Sequence, residues 1–271
     1  MYSRLLADKQ RFRRRKTQLS LSEMMTLLVL FHQLRHRQFK RFYLNYVSQY
    51  LRAEFPKLPS YSRCIELMPR CALAFAAFFQ SLKGKPTGIS IVDSTPLAVC
   101  DNLRIKRHRV FHGLAERGKS STGWFFGFKL HIVINHLGEI LNCRLTPGNV
   151  NDRKPLPRLL QGIVGKLYAD KGYLSKSLTE TLKVLGVDLV TKVRKNMAPI
   201  THSAFDKALL SKRSLVETVF DQLKNLCQIE HTRHRSPANF IVNLISGIVA
   251  YRLMPKKPSI SLQSSDLLTV I

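Results

Sequence analysis

Acidic residues are scarce in this chain: 17 Asp and Glu stand against 44 Lys and Arg, a formal net charge of +27 over 271 residues. A surplus of that size repels itself until it meets a polyanion, so nucleic acid leads the candidate partners. Long hydrophobic runs are missing as well. Met24–Phe31 and Cys71–Phe79 fall far short of the roughly 20 apolar residues that span a bilayer. Phe240–Met254 is longer but is interrupted by Asn243, Ser246 and Arg252. No small-residue cleavage site follows the basic start, which argues against an export signal. The five cysteines are odd in number, widely spaced and form no CxxC pair, which excludes a disulfide scaffold and indicates a reducing, cytoplasmic compartment. Cys227-x3-His231-x2-His234 lacks the second ligand pair of a zinc site and reads as basic surface. A GxxxxGK[ST] loop is absent, so ATP use is not suggested. Tryptophan occurs once, at Trp124, within an aromatic strand where core packing is expected.

What is present suffices for a core. Hydrophobic residues make up 45% of the chain and Phe occurs 15 times, which excludes a disordered polycation. Residues 1–20 form a basic arm with Arg11, Arg13, Arg14, Arg15 and Lys16 nearly continuous. Ser20-x-x-Glu23 is a capping box before Met24, Leu27, Leu28 and Phe31, which recur at helical spacing. A second helix is predicted over Phe39–Phe55, stopped by Pro56 and Pro59, and a third over Tyr61–Leu82. These describe an all-α module over residues 1–86 that resembles a helix-turn-helix-type DNA reader. After the Lys83–Gly88 linker the pattern changes. Strands are predicted at Gly88–Val99, Gly123–Asn135 and Glu139–Leu145, then a helix at Pro155–Ile163 and a strand at Lys166–Ala169. A helix at Ser175–Leu185, a strand at Asp188–Val193 and helices at Ser211–Gln228 and Pro237–Leu253 complete the pattern. Such an order describes an α/β domain with a mixed sheet over residues 87–258, followed by a tail at 259–271.

Two acids stand out by position. Asp93 follows the buried-strand run Ile89-Ser-Ile-Val92, and Asp170 follows Leu167-Tyr-Ala169 where a strand enters a turn. Each is either a turn or capping residue, or a metal ligand at the carboxyl edge of a sheet. The third candidate is Glu217. On a helix, Arg213, Glu217 and Lys224 share one face, with Asp221 near the same stripe as the alternative acid. The plain reading of that face is a solvated Arg–Glu pair. Carboxylates from separate elements that converge on one point could instead hold two Mg²⁺ ions for in-line displacement at phosphorus. Arg104-x-Lys106-Arg107-His108-Arg109 adds a basic loop suited to phosphate contact.

The runs Ile91-Val-Asp-Ser-Thr-Pro96, Ala169-Asp-Lys-Gly-Tyr173 and Arg213-x3-Glu217-x6-Lys224 resemble the three acidic blocks of a bacterial insertion-sequence DDE transposase, closest to the insertion sequence 982 family. Gly127-Phe-Lys-Leu-His131 and Thr146-Pro-Gly-Asn149 resemble family segments between the first two acids. The resemblance implies an RNase H-like mixed-sheet core with Asp93, Asp170 and Glu217 as catalytic metal ligands for two Mg²⁺ ions, with Mn²⁺ able to substitute. It implies cleavage at insertion-sequence ends and transfer of the freed 3′-hydroxyl into target DNA. The expected partners are double-stranded DNA, the terminal inverted repeats and target DNA, with the protein a homo-oligomer on DNA, nucleoid-associated and not at a membrane. Arg213, Lys224 and Lys171 would contact DNA near the site, joined by Arg104, Lys106, Arg107 and Arg109 and by Arg13, Arg14 and Arg15 of the arm. Leu210 stands where related families carry a Tyr, and the family pattern implies a further segment before Met1. A metal-dependent nuclease without strand transfer and a non-catalytic DNA-binding protein are the rival readings.

Overall fold

The computed structural model describes residues 18–121, 123–193, 201–230 and 234–262. Arg11, Arg13, Arg14, Arg15, Lys16 and His231 lie outside those residues. In chain order the elements begin with α1 (Leu21–Gln33), α2 (residues 39–50, π-helical over Phe42–Val47) and α3 (Tyr61–Leu82). They continue with β1 (Ile89–Cys100), β2 (Glu116–Ser120), β3 (Gly123–Asn135), β4 (Ile140–Pro147), α4 (Leu156–Leu159) and β5 (Gly165–Ala169). Then follow α5 (Lys176–Val184), β6 (Val187–Thr191), α6 (Ala204–Ser211), α7 (Leu215–Asp221) and α8 (Pro237–Arg252). The described residues form two compact units: a helical one within residues 1–82 and 222–254, and a sheet unit within residues 83–221 and 255–271.

In the helical unit, α1 starts as its sequence dictates. The Ser20 hydroxyl accepts from the Glu23 N–H and the Glu23 carboxylate accepts from the Ser20 N–H, closing the capping box. Met24, Leu27, Leu28 and Phe31 form the buried stripe of α1, and α8 packs against α1 and α3 with nearly every residue from Phe240 to Tyr251 buried. By length and composition α3 reaches the threshold of a membrane span, with a mean hydropathy of 1.2. Its Cys64, Leu67, Met68, Cys71, Ala72, Phe75 and Phe79 are buried in the unit, the one-sided pattern of a core helix. His32 is fully buried. Its Nδ1 hydrogen-bonds the Cys227 carbonyl and its Nε2 lies 2.9 Å from the Ser246 hydroxyl. Burial pushes its pKa down to about 4, and burial does the same to His234. His234 is half-buried, with its ring 5.5 Å from that of Phe240, and so is not the open basic surface the sequence suggested.

In the sheet unit, β1 pairs antiparallel with β3, β3 pairs with both β4 and β2 along its other edge, and β1, β5 and β6 run parallel. The order β4-β3-β1-β5-β6, three antiparallel strands followed by two parallel ones, is an RNase H-like sheet with helices on its faces. Val92, Val133, Leu141, Leu167 and Ala169 meet Leu156, Leu159, Leu178 and Leu182 of α4 and α5 in a core on one face. On β5 the alternate residues Lys166 and Tyr168 reach Asp206 of α6 at 2.9 and 2.7 Å. Burial would raise the Asp206 carboxyl, but bonds from Lys166, Tyr168 and Ser203 together hold it below the usual range.

Beyond His234, other elements and a further side chain depart from the sequence expectation: the helix expected over Pro155–Ile163 is only Leu156–Leu159. β2 (Glu-Arg-Gly-Lys-Ser) carries no β-branched or aromatic residue, and forms because the open edge of β3 accepts it. α6 is short; the Ser203 hydroxyl caps it by accepting from the Asp206 N–H. Trp124 is not core: it is 52% exposed on the β2–β3 hairpin.

Gly127 fixes how closely β1 and β3 approach. A Cβ there would collide with the Leu97 carbonyl oxygen of the paired strand, a backbone atom with no room to yield. Gly127→Ala is expected to cost about 1–3 kcal/mol, as overpacking does. A thermal melt should show it as a Tm about 2–10 °C lower; an unchanged Tm would mean the strands part at no cost.

Candidate active site

β1 and β5 bring the first two acids together. Ile91 is in register with Tyr168, and continuing that parallel register by two residues puts Asp93 level with Asp170. Asp93 is buried enough that its carboxyl is held above the usual carboxylate range. Burial is the main cause; the Ser94 N–H and Arg213 pull it back, and the charge of Asp170 pushes it up again. Asp170 itself is exposed, immediately past β5 and before the 3-10 turn Lys171–Tyr173, whose first N–H groups its side chain does not cap.

α7 supplies the third acid. It buries Leu215, Val216, Val219 and Phe220 and packs on β1, which leaves Glu217 on its exposed side. Arg213, one turn earlier in a 3-10 turn, joins the elements. It donates from Nη1 to Asp93 Oδ2 at 3.0 Å and from Nη2 to Glu217 Oε1 at 3.3 Å. Asp93 and Asp170 thus sit side by side, while Glu217 is linked to Asp93 through a guanidinium. Asp221 is exposed at the end of α7. Lys224 lies in the π-helical turn Gln222–Leu226 of the helical unit, where it pairs with Glu230 at 2.8 Å. Lys171 is exposed beside Asp170, and Arg104, Lys106, Arg107 and Arg109 are exposed in and after the 3-10 turn Asn102–Arg107.

The sequence reading names Gly127-Phe-Lys-Leu-His131 as a family segment but gives no role to the polar group it carries, which the register Asp93↔Ile132 and Ser94↔His131 puts on the face of the sheet opposite Asp93. Lys129 on β3 donates to Asp152 Oδ1 at 3.0 Å and to the Val150 carbonyl at 3.1 Å. His131, two residues on and 1% exposed, pairs its Nε2 with the Thr146 hydroxyl and places Nδ1 3.9 Å from Asp152. Burial pushes His131 down to about 4 despite that carboxylate, with Lys129 and Arg144 adding to the fall. Tyr173 is held well above the usual phenol range by burial, then by the charges of Asp93 and Asp152, so its hydroxyl keeps its proton. Arg153 donates to the Gly172 carbonyl at 2.8 Å and ties the 147–154 loop to the turn after Asp170. The available signal was the i, i+2 spacing of Lys129 and His131, which puts both on one face of a strand.

The donor chemistry fits a hard divalent cation, since the candidates are carboxylates and the Asp93–Asp170 repulsion is what a cation relieves. Their placement fits in part: among the described residues, no three His, Cys, Asp or Glu side chains are gathered closely enough to form a ready cage.

A family model described as "Transposase DDE domain" matches residues 83–237. Among solved structures, the chain is similar to that of a piggyBac transposase synaptic complex with hairpin DNA. The TM-score is 0.51 at 12% identity, covering 91% of this chain and 68% of that one. A Mos1 transposase paired-end complex with the left transposon end aligns at 13% identity and a TM-score of 0.24, over 87% and 78% of the two chains. No curated protein matches the sequence. The first likeness concerns the fold, and it agrees with the RNase H-like order of strands.

Proposed function

The chain belongs to the DDE-domain transposases, and from that premise we propose that it cuts DNA at the ends of an insertion sequence of the 982 kind and joins the freed 3′-hydroxyl to target DNA. The observation that carries this reading is the β1–β5 register that sets Asp93 beside Asp170, with Glu217 presented from a helix packed on β1. In this reading Asp93 and Asp170 hold divalent metal, Mg²⁺ or Mn²⁺, with Glu217 as the third ligand once it leaves Arg213. Bound metal would supply activation of the attacking oxygen and stabilisation of the leaving one. The chain's own groups do the rest. Arg213 exchanges its carboxylate partners for a DNA phosphate, for which its planar fork is suited. Lys171 neutralises phosphate beside Asp170, and the exposed cations of the 102–109 turn hold the flanking duplex. Lys129 and Arg153 fix the loop that borders the site, and the protonated Tyr173 fills the space behind Asp93 without adding charge. The helical module expected over residues 1–86, which α8 completes, reads the terminal repeats, the sheet of the domain expected over residues 87–258 carries the chemistry, and the protein acts as a homo-oligomer holding two ends.

The test is a supercoiled plasmid carrying the element and its native flanks, incubated with the purified chain in Mg²⁺, Mn²⁺ or EDTA. Breaks at the element's ends and joined 3′ ends, seen by sequencing only with metal, are the expected result. Breaks without joints would make it a nuclease, and retention of the plasmid without cutting in any metal would make it a binding protein.

A further inference from the structure

β1 and β3 are antiparallel neighbours, yet residues 101–122 separate them where 2–5 residues would close a hairpin. This insertion carries the exposed cations of the 102–109 turn together with Arg117 and Lys119, against only Asp101 and Glu116. Asp101 is committed to capping the turn, where it accepts from the Leu103 N–H. The insertion ends against Trp124. In the β2–β3 register Lys119 lies directly opposite Trp124 and Arg117 opposite Phe126, so both cations share the tryptophan's face of the hairpin. The Arg117 guanidinium carbon is 4.7 Å from the indole centroid and the Lys119 ammonium 5.8 Å. Asn102 donates to the Trp124 carbonyl at 2.7 Å, which brings the turn, with Leu103 93% exposed, alongside. On the same strand Phe125 and Phe128 are buried, so the aromatic residues that pack do so and the tryptophan does not.

An exposed indole ringed by cations suits a ligand that offers both a π face and negative charge. DNA offers both only where a base has left the duplex stack, as at an overhang, a nick or an extruded nucleotide. We propose that Trp124, backed by Arg117 and Lys119, is a stacking platform for an unpaired nucleobase, with the 102–109 cations neutralising the adjoining phosphates. The proposal rests on the reading of this chain as a DNA-acting enzyme and adds a site for distorted or single-stranded DNA to it.

The sole tryptophan reports on its own site. In EDTA and at fixed salt, the chain is titrated with labelled duplexes that carry a short overhang, a blunt end, or the same overhang with abasic positions. Anisotropy of the label reads binding, and indole emission reads stacking. The expected result is quenching by the overhang alone. Trp124→Ala should weaken overhang binding about 5- to 150-fold, the range that loss of one stacked base spans, and leave blunt-duplex binding unchanged. Trp124→Phe should restore most of the loss, and both variants should melt as wild type does because the side chain lies at the surface. Overhang binding without quenching, or equal quenching by all three DNAs, overturns the platform and leaves the DNA-acting reading intact. No binding to any of the three overturns both.

Discussion

Asp170→Asn is expected to abolish metal-dependent breakage and joining while leaving the DNA complex and its salt dependence unchanged. The size of the effect follows from what the carboxylate does in the proposed site. A divalent ion contributes several kcal/mol of transition-state stabilisation, and about 1.4 kcal/mol is tenfold in rate. Losing a charged ligand should therefore cost on the order of a thousandfold or more. Asp170 is the informative position because it is exposed and caps nothing, so the isosteric amide should change stability by no more than about 0.5 kcal/mol. Asp93→Asn should silence the reaction too, but it also removes the 3.0 Å bond from Arg213. Plasmid cleavage scored beside a gel-shift salt titration separates the cases. If Asp170→Asn cuts at more than about a tenth of the wild-type rate, Asp170 is a turn residue and the metal site lies elsewhere.

Acid should unfold this protein well before its carboxylates protonate. His32, His131 and His234 are each pushed down to about 4 by burial, against about 6.5 in an unfolded chain. The unfolded state therefore binds more protons between those values, and the stability each neutral ring contributes is complete above pH 6.5 and is lost as pH falls toward 4. Each ring accounts for about 3 kcal/mol over the whole window and about 2 kcal/mol at pH 5. Three such losses rival the total stability of a domain, about 5–15 kcal/mol. Asp93, held above its usual range, works in the opposite sense and softens the fall. Glu23 and Asp206, held below theirs by hydrogen bonds, add to it only once pH drops into the carboxylate range. Urea midpoints at pH 7.5, 6 and 5 should drop steadily. A flat profile to pH 5 would show that the buried rings gain water or a partner on protonation.

The strands that hold the site were legible because their residues are of one kind. Ile89–Val92 and Leu167–Ala169 are buried on both faces, as strands of a covered sheet must be, and an acid placed just after each run stands out. β2 was not legible, since an edge strand of charged and small residues has no pattern of its own and depends on its partner. Trp124 misled for a related reason: aromatic content marks a strand but does not say which face looks inward when residues pair across a hairpin. The three acids could be picked out by their neighbours in sequence. The Arg213 bridge from Asp93 to Glu217 could not, because it spans 120 residues and exists only once α7 lies on β1. The Lys129–Asp152–His131 group is of the same sort, a product of strand register and loop path.

The helical unit has a history that its finished form conceals. Its centre is His32, whose ring is bonded to residues 195 and 214 positions downstream, and α8, which follows all six strands in the sequence, covers α1 and α3. On the ribosome, α1 to α3 emerge with one wall of their core missing, and that wall arrives some 150 residues after α3 is complete. At about 5–20 residues per second the wait lasts on the order of ten to thirty seconds. Throughout it the nascent chain displays a bare apolar face beside a strongly basic surface, so chaperone capture and premature association with RNA compete with completion of the fold. Completion of α8 decides when α1 to α3 become a protein.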